Sequence, residues 1–432
     1  MPLPYSDVPA FRRDPLRLLL ERARRAPPGF VPLHLGLRPI WLATDPEIAR
    51  QVLIWSPQEI DKGRLVQTLL PLLDRSLLTN VGAAHRRTKT AIHRHVRRNA
   101  IVQNLGRLTS IINTFCARLA VDGEIHTGPD LAELALQLAC VAVFGDDVLA
   151  PGDRTALVGA VKIVEAEIAD DMFRLPIVPR LPWNARQRSR RLSNAHRIVS
   201  FVTARVRQKE NRSEIIKGLE EAGLNDEELS AEILGLLIAG HHTTGASFGW
   251  VLYHLATEPE MAEMIALEAD TVLAAIERND RRALDNAALS RAYLNELLRL
   301  YPAGWWTSRE VAMPLTVAGH RFKAGDTIMV SPWQLHRDPR FWSEPDTLRL
   351  DRCFTETAYM PFGIGPRACI GMAIALVELQ LLALQLASAF TFEIASEAAQ
   401  SVRPHPSVTL LFPNTAIKAT PRTETEFRRQ VA

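Results

Sequence analysis

The residue whose surroundings point most directly to chemistry is Cys369. It is one of four cysteines, with Cys116, Cys140 and Cys353. Residues 361–378 read PFGIGPRACIGMAIALVE. Two glycines and a proline come before Cys369 and Gly371 follows, and then a helical pattern runs unbroken through Ser388. Cys369 therefore stands at the mouth of a helix, on a loop that can turn sharply and come close to a flat group. A helix N-terminus stabilises a thiolate. Amide N–H groups beside the sulfur tune how strongly it donates electrons. Arg367, two residues earlier, can pair with an anion. The plainer alternative for an isolated cysteine is an inert buried thiol.

A second cluster is Ala239-Gly240-His241-His242-Thr243-Thr244, polar residues inside a long apolar segment. A glycine there costs about 1 kcal/mol relative to alanine, and buried hydroxyls and imidazoles need partners. Local rules broken at one spot suit a functional site. The alternative is a helix kink with threonines bonded back to the chain. A third pair, Glu296 and Arg299 in YLNELLRLYP, is spaced i to i+3 on one helix face. Taken alone it reads as a solvated ion pair.

The elements that position these residues are mostly helical. Asn225 is an N-cap candidate and Asp226, Glu227 and Glu228 fill the first turn, where the helix dipole favours negative charge. About 30 residues follow before Pro259, which at ~1.5 Å each gives ~45 Å, enough to cross a domain. Strand-like pieces occur at residues 31–43, 315–330 and 408–412. The proline-rich stretch 175–183 separates two helices, and the second, from about 184 to 209, carries Arg186, Arg188, Arg190, Arg191 and Arg197, read as a solvated face. Residues 15–26 put leucines on one face and arginines on the other, which suits a helix packed on the body.

The 432 residues show no repeat and no low-complexity linker, so residues 1–432 are read as a single domain. A net charge of +3 gives no general case for nucleic acid, and 47% hydrophobic residues can bury a large core. The cysteines are too few and scattered for a disulfide framework, and no C-x-x-C pair suggests zinc. No stretch reads as a signal peptide or a membrane span, and the expected location is cytoplasmic. Residues 85–98 hold six Lys or Arg and no acid. They read as a solvated face; a nucleic-acid patch is the alternative, but the run lacks interleaved aromatics.

Phe362-Gly363-Ile364-Gly365-Pro366-Arg367-Ala368-Cys369-Ile370-Gly371 resembles the haem-binding loop of the cytochrome P-450 superfamily, F-x-x-G-x-R-x-C-x-G, with every fixed position filled. Glu296 and Arg299 match that family's E-x-x-R pair, with Arg352 as its completing arginine, although the usual proline before it is missing. Residues 239–244 resemble the central distal helix, and residues 82–89 the helix that contacts a haem propionate. The similarity covers residues 30–413.

The resemblance implies a mainly α, single haem-thiolate fold with a small β portion. It implies haem b (iron protoporphyrin IX) on Cys369 and a monooxygenase that takes O2 and two NAD(P)H-derived electrons. The electrons would come from a ferredoxin or flavodoxin-type donor with its reductase, for which the resemblance implies residues 85–98 as the docking surface. By family position, Phe362, Gly371, His85, Lys89, Arg309, His336 and Arg367 hold the haem. Thr243, His242 and Gly240 serve the distal side. The residue before the threonine is usually acidic, so His242 is either a proton relay or a packing residue. Gly240 is expected to let the helix open locally. Leu236, Ala239, Trp305, Val408 and Thr409, with Gly240 and the stretches 65–77, 303–306 and 408–410, would line a pocket for an apolar small molecule of terpenoid, fatty-acid or steroid-like kind. Two other readings are a haem-thiolate peroxygenase or isomerase, and a non-enzymatic haem-binding sensor.

Overall fold

Asn225 starts the longest helix. Its side chain accepts the Glu228 N–H at 2.9 Å, and the Glu228 carboxylate accepts the Asn225 N–H at 3.0 Å, a reciprocal cap that satisfies two free donors. The helix Asp226–Thr257 then runs 32 residues without interruption. These features belong to a computed structural model that describes residues 3–55, 60–63, 75–173, 182–208, 213–354, 357–395, 399 and 402–422.

Neighbours close in on this helix at its glycines. A Cβ on Gly240 would lie 3.0 Å from the Cβ of Ala139, in the crossing helix Pro129–Phe144. One on Gly249 would lie 2.5 Å from the Cβ of Phe412. The expected local opening at Gly240 is not seen, because the helix stays α-helical through residues 239–244. Close helix packing is the physical reason for a glycine at this position.

The second core helix, Met372–Ala389, leaves the cysteine loop. Among the described residues it is the one helix long and apolar enough to cross a membrane, but most of it is buried inside the protein. Val377, Leu379, Leu381, Leu382, Leu384 and Leu386 are all but fully buried. They share one core with Leu105–Asp122, Pro129–Phe144, Asp226–Thr257 and Pro259–Glu277.

A five-stranded sheet flanks the helices, in the order Phe30–Leu33, Ile40–Ala43, Thr327–Val330, Thr307–Val311, Ile60–Asp61. Its one parallel pair is Ile40–Ala43 with Thr327–Val330. With the helix Pro46–Ile54 it forms a smaller core against which Ile364 of the cysteine loop packs. A short hairpin pairs His405–Pro406 with Leu410–Leu411. It is tied down where Leu410 N–H donates to Ala303 O at 2.9 Å. The mainly α architecture with a small β portion is as expected.

The helix Pro15–Arg24 buries Leu16, Leu18 and Leu19 against Trp305, Trp333 and Leu410, so it packs on the body. The arginine-bearing helix is Pro182–Gln208, and its arginines are not all solvated: Arg188 and Arg191 both pair with Glu167, at 3.0 and 3.1 Å. Residues 175–181 of the proline-rich stretch lie outside the described residues.

Candidate functional site

The cysteine loop is shaped by two left-handed glycines. Gly363 has φ +63° and Gly365 φ +75°, backbone states that cost a side-chain-bearing residue about 1–2 kcal/mol. Space adds to this at Gly365, where a Cβ would lie 2.6 Å from Leu53 O. The turn is closed by Gly363 N–H to Met360 O at 3.0 Å and Cys369 N–H to Phe362 O at 2.9 Å. Gly371 then caps the helix Met372–Ala389.

Cys369, Phe362 and Gly371 all line a cavity of about 440 Å³. The sulfur is exposed, and the space it faces is this cavity. Burial in the protein pushes its thiol pKa up, against the Gly371 N–H and the Lys89 ammonium. Among the described residues no group of three or more His, Cys, Asp or Glu could hold a metal ion. A cofactor that brings its own ligands would suit a metal at Cys369.

Cations gather at one side of the same cavity. Lys62, Lys89, Arg309 and Arg367 all line it, with the imidazole of His85 beside them. Arg367 is paired with Asp61, with Nη2 2.7 Å and 3.0 Å from its two oxygens, and donates to Asn80 O at 2.7 Å. Arg309 is almost fully buried. It bonds Thr307 Oγ1 at 3.1 Å and Ser308 O at 2.9 Å rather than a carboxylate. Lys89 donates to Pro366 O at 2.5 Å. Burial, then Arg367 and Arg309, pull the Lys62 ammonium down to about 7. Burial, then Arg367, lower Arg309 to about 10. His85 is held down to about 4 by burial and then by Arg367. So many cations beside one paired acid call for an anionic group with at least two charges. A haem fits this donor set, with a sulfur for the metal and cations for two propionates.

His336 does not belong to this cluster. It is fully buried, and both ring nitrogens are taken. Met360 N–H donates to Nε2 at 2.9 Å, so Nδ1 carries the proton and donates to Arg299 O at 3.1 Å. Burial pushes its pKa to about 3. The expectation that His336 holds a propionate is therefore corrected: it is a neutral link between the helix Ala288–Leu300 and the loop before Pro361.

On the other wall, Leu236, Ala239, Gly240, His242, Thr243, Val408 and Thr409 all line the cavity. Thr243 Oγ1 donates to Ala239 O at 3.0 Å. Trp305 does not line it. Its ring is fully buried among Phe11, Leu16 and Leu19, and its N–H donates to Ser407 O at 3.0 Å. The neighbouring Trp306 faces the cavity instead. Of the stretch 65–77, residues 65–74 lie outside the described residues. Leu77 lines the cavity, with its N–H 2.9 Å from Glu232 Oε2. Burial raises Glu232 to about 7.

Sequence reasoning missed the partners of His242. Its Nε2 lies 2.6 Å from Glu165 Oε2 and its Nδ1 3.1 Å from Thr409 Oγ1. Ser407 Oγ donates to Glu165 Oε1 at 3.2 Å. The helix Pro151–Phe173, the long helix and the hairpin thus meet at one imidazole. Glu165 sits 77 residues before His242, and no local pattern marks it. Lys62 and Asp61 were missed for the same reason.

Beneath the cysteine loop, Glu296 and Arg299 are both 0% exposed. Arg299 Nε and Nη2 reach the two Glu296 oxygens at 2.5 and 2.9 Å, and Arg352 Nε reaches Glu296 Oε2 at 3.0 Å. Arg299 also donates to His336 O, Pro345 O and Thr347 O. The pair is a buried network, not a solvated one. In residues 85–98 three arginines are already paired, Arg87 with Glu228, Arg94 with Glu221 and Arg98 with Asp285, while Arg86 and Arg97 are exposed.

Comparison with known proteins agrees with this geometry. The family model described as Cytochrome P450 matches residues 8–420. The chain is 26% identical over 417 residues to cyclooctatin synthase of Streptomyces melanosporofaciens, covering 92% of this chain and 89% of that one. It is 25% identical over 402 residues to cytochrome P450 4V2 of Mus musculus, covering 80% and 74%. With cytochrome P450 3A40 of Oryzias latipes it shares 32% identity over 197 residues, 44% of this chain and 38% of the other.

Proposed function

Because the chain belongs to the cytochrome P450 family, whose members are haem b monooxygenases, we propose that Cys369 supplies the thiolate ligand and that the cavity beside it takes an apolar small molecule. The haem, when bound, supplies dioxygen activation and C–H oxidation, and a thiolate ligand favours O–O cleavage. The chain's own residues do the rest. Arg309, Arg367, His85, Lys62 and Lys89 hold the propionates, with Arg309 bonded to no carboxylate among the described residues. The Gly371 N–H and the helix end behind it stabilise the sulfur as an anion.

On the distal side Thr243 offers a hydroxyl that both donates and accepts. His242 takes the position beside it as a proton carrier, held by Glu165 and Thr409 rather than exposed as a bare ring. Arg299 and Arg352 keep the loop before the cysteine in place through the backbone carbonyls they donate to, and Glu296 through the Arg349 N–H it accepts.

The substrate reading rests on the lining: Leu77, Leu236, Ala239, Trp306 and Val408 are apolar or nearly so. A terpenoid-like molecule fits such a wall, in keeping with the cyclooctatin synthase likeness; fatty acids and steroids are the competing apolar classes. Electrons come from a separate ferredoxin or flavodoxin-type protein, docking near Arg86 and Arg97. The single observation that carries this reading is the Cys369 sulfur facing the cation-rimmed cavity. Its test is a spin-shift titration of the haem-loaded protein with terpenoids, fatty acids and steroids, followed by turnover with ferredoxin and reductase. Hydroxylated product from a terpenoid supports it; spin shifts confined to charged, polar ligands would overturn the substrate class.

A further inference from the structure

Glu165 and His242 stand in a wall between two cavities. On one side is the reaction cavity. On the other is a second cavity of about 860 Å³, lined in part by Lys162, Ala166, Ala169, Ala246, His405 and Asn414. Val161, Glu165 and His242 line both. Lys162, Ala166 and His405 are exposed, so this cavity meets bulk water, whereas Glu165 itself is almost fully buried.

We propose that the second cavity is the proton entrance for the reaction, with His242 carrying protons through the wall and Thr409 receiving them on the inner side. This rests on the reading of His242 as a proton carrier and adds its two ends. The geometry names each hand-over. His242 Nε2 is 2.6 Å from Glu165 Oε2, and its Nδ1 is 3.1 Å from Thr409 Oγ1. Thr409 lines the reaction cavity but not the second one. Ser407 holds the other Glu165 oxygen at 3.2 Å and so fixes the carboxylate that faces the ring.

An imidazole is suited to this because its two ring nitrogens face different partners, so a proton can leave from one side of the wall and be regained from the other. In each passage the imidazolium gives its Nδ1 proton to Thr409 Oγ1, and the threonine's own hydroxyl proton passes into the reaction cavity. The neutral ring then turns toward the second cavity, which it also lines, and takes one proton from hydronium there. The Glu165 carboxylate draws the new imidazolium back. One proton enters and one leaves, and the pair keeps its charge. Monooxygenation consumes two such protons, two electrons from the donor and one dioxygen per substrate, one oxygen atom leaving as water and the other entering the product. Glu165 is a positioning residue, acting on His242 by charge and hydrogen bond.

The test compares Thr409→Val, which removes the inner hydroxyl, with Ala166→Trp, which fills the outer cavity from an exposed position. In the haem-loaded enzyme with its redox partner, each should lower product per NADH about a hundredfold, the low end of the range for lost proton transfer. The missing electrons should appear as hydrogen peroxide, and the solvent deuterium isotope effect should rise. Peroxide-driven turnover, which needs no delivered protons, should stay within about twofold in Ala166→Trp, whose position lines only the outer cavity, the check that the fold survives. Thr409→Ser should restore coupling. In the ferrous carbon-monoxide-bound enzyme, exchange of the His242 ring N–H with water should slow in Ala166→Trp. Coupling kept in both variants while His242→Ala uncouples would overturn the route and leave His242 as a carrier. Coupling kept in His242→Ala as well would overturn the carrier reading on which the route depends.

Discussion

Arg299 grips Glu296 by two hydrogen bonds, 2.5 and 2.9 Å long, with neither side chain open to solvent. Three backbone carbonyls take the remaining Arg299 donors, and the Arg349 N–H and Arg352 complete Glu296. Removing one partner leaves a buried charge unpaired, which costs about 3–5 kcal/mol. Arg299→Ala should therefore unfold at markedly lower denaturant than the parent. Arg352→Ala should lose less, because Arg299 still neutralises Glu296. Urea unfolding followed by fluorescence checks the ranking.

Buried neutral histidines make the fold acid-sensitive. Burial holds His254 and His336 at about 3 and His241 at about 4, below the unfolded value near 6.5. The unfolded chain thus binds more protons than the folded one between about pH 6.5 and pH 3. Stability is full above pH 6.5 and falls as pH drops through that window, by about 1.4 kcal/mol per pH unit for each such site. His254 has an unbonded Nδ1 in its buried setting. His254→Phe should flatten the acid limb of a stability-against-pH curve by one proton's slope; an unchanged slope would count against a neutral buried His254.

The propionate assignment separates Arg309 from His336. A hydrogen bond to a charged group contributes about 1.5–3 kcal/mol. Arg309→Leu should then speed haem loss to a haem-scavenging globin by about 10- to 100-fold. His336→Leu should lower folding stability through its two lost backbone bonds instead. Faster haem loss in His336→Leu than in Arg309→Leu would reverse the correction made above.

Trp305 and Trp306 should also part company. Trp305→Ala removes a fully buried ring and should cost about 3–5 kcal/mol of stability. Trp306→Ala should leave stability nearly intact and alter substrate-induced spin shifts, as read by titration with the best apolar ligand.

The parts that were legible in sequence are those encoded locally. The Cys369 loop carries its own glycines, the long helix carries its own cap at Asn225, and Glu296 and Arg299 are one turn apart. What escaped were pairings made by the fold. Glu165 reaches His242 across 77 residues, and Asp61 reaches Arg367 across 306. His336 misled because family position says nothing of which way a ring points, and its two backbone bonds appear only when the chain is folded. Gly240 misled similarly: the sequence marks an anomaly in the helix, and the fold assigns it to a close crossing with Ala139.

The central claim is that Cys369 faces the haem as its thiolate ligand. The most direct test is the absorption spectrum of the reduced, carbon-monoxide-bound protein for the parent and for Cys369→Ser, both loaded with haem b. The parent should give the thiolate-ligated signature, and Cys369→Ser should retain some haem but lose that signature. The same thiolate spectrum from Cys369→Ser would contradict the account.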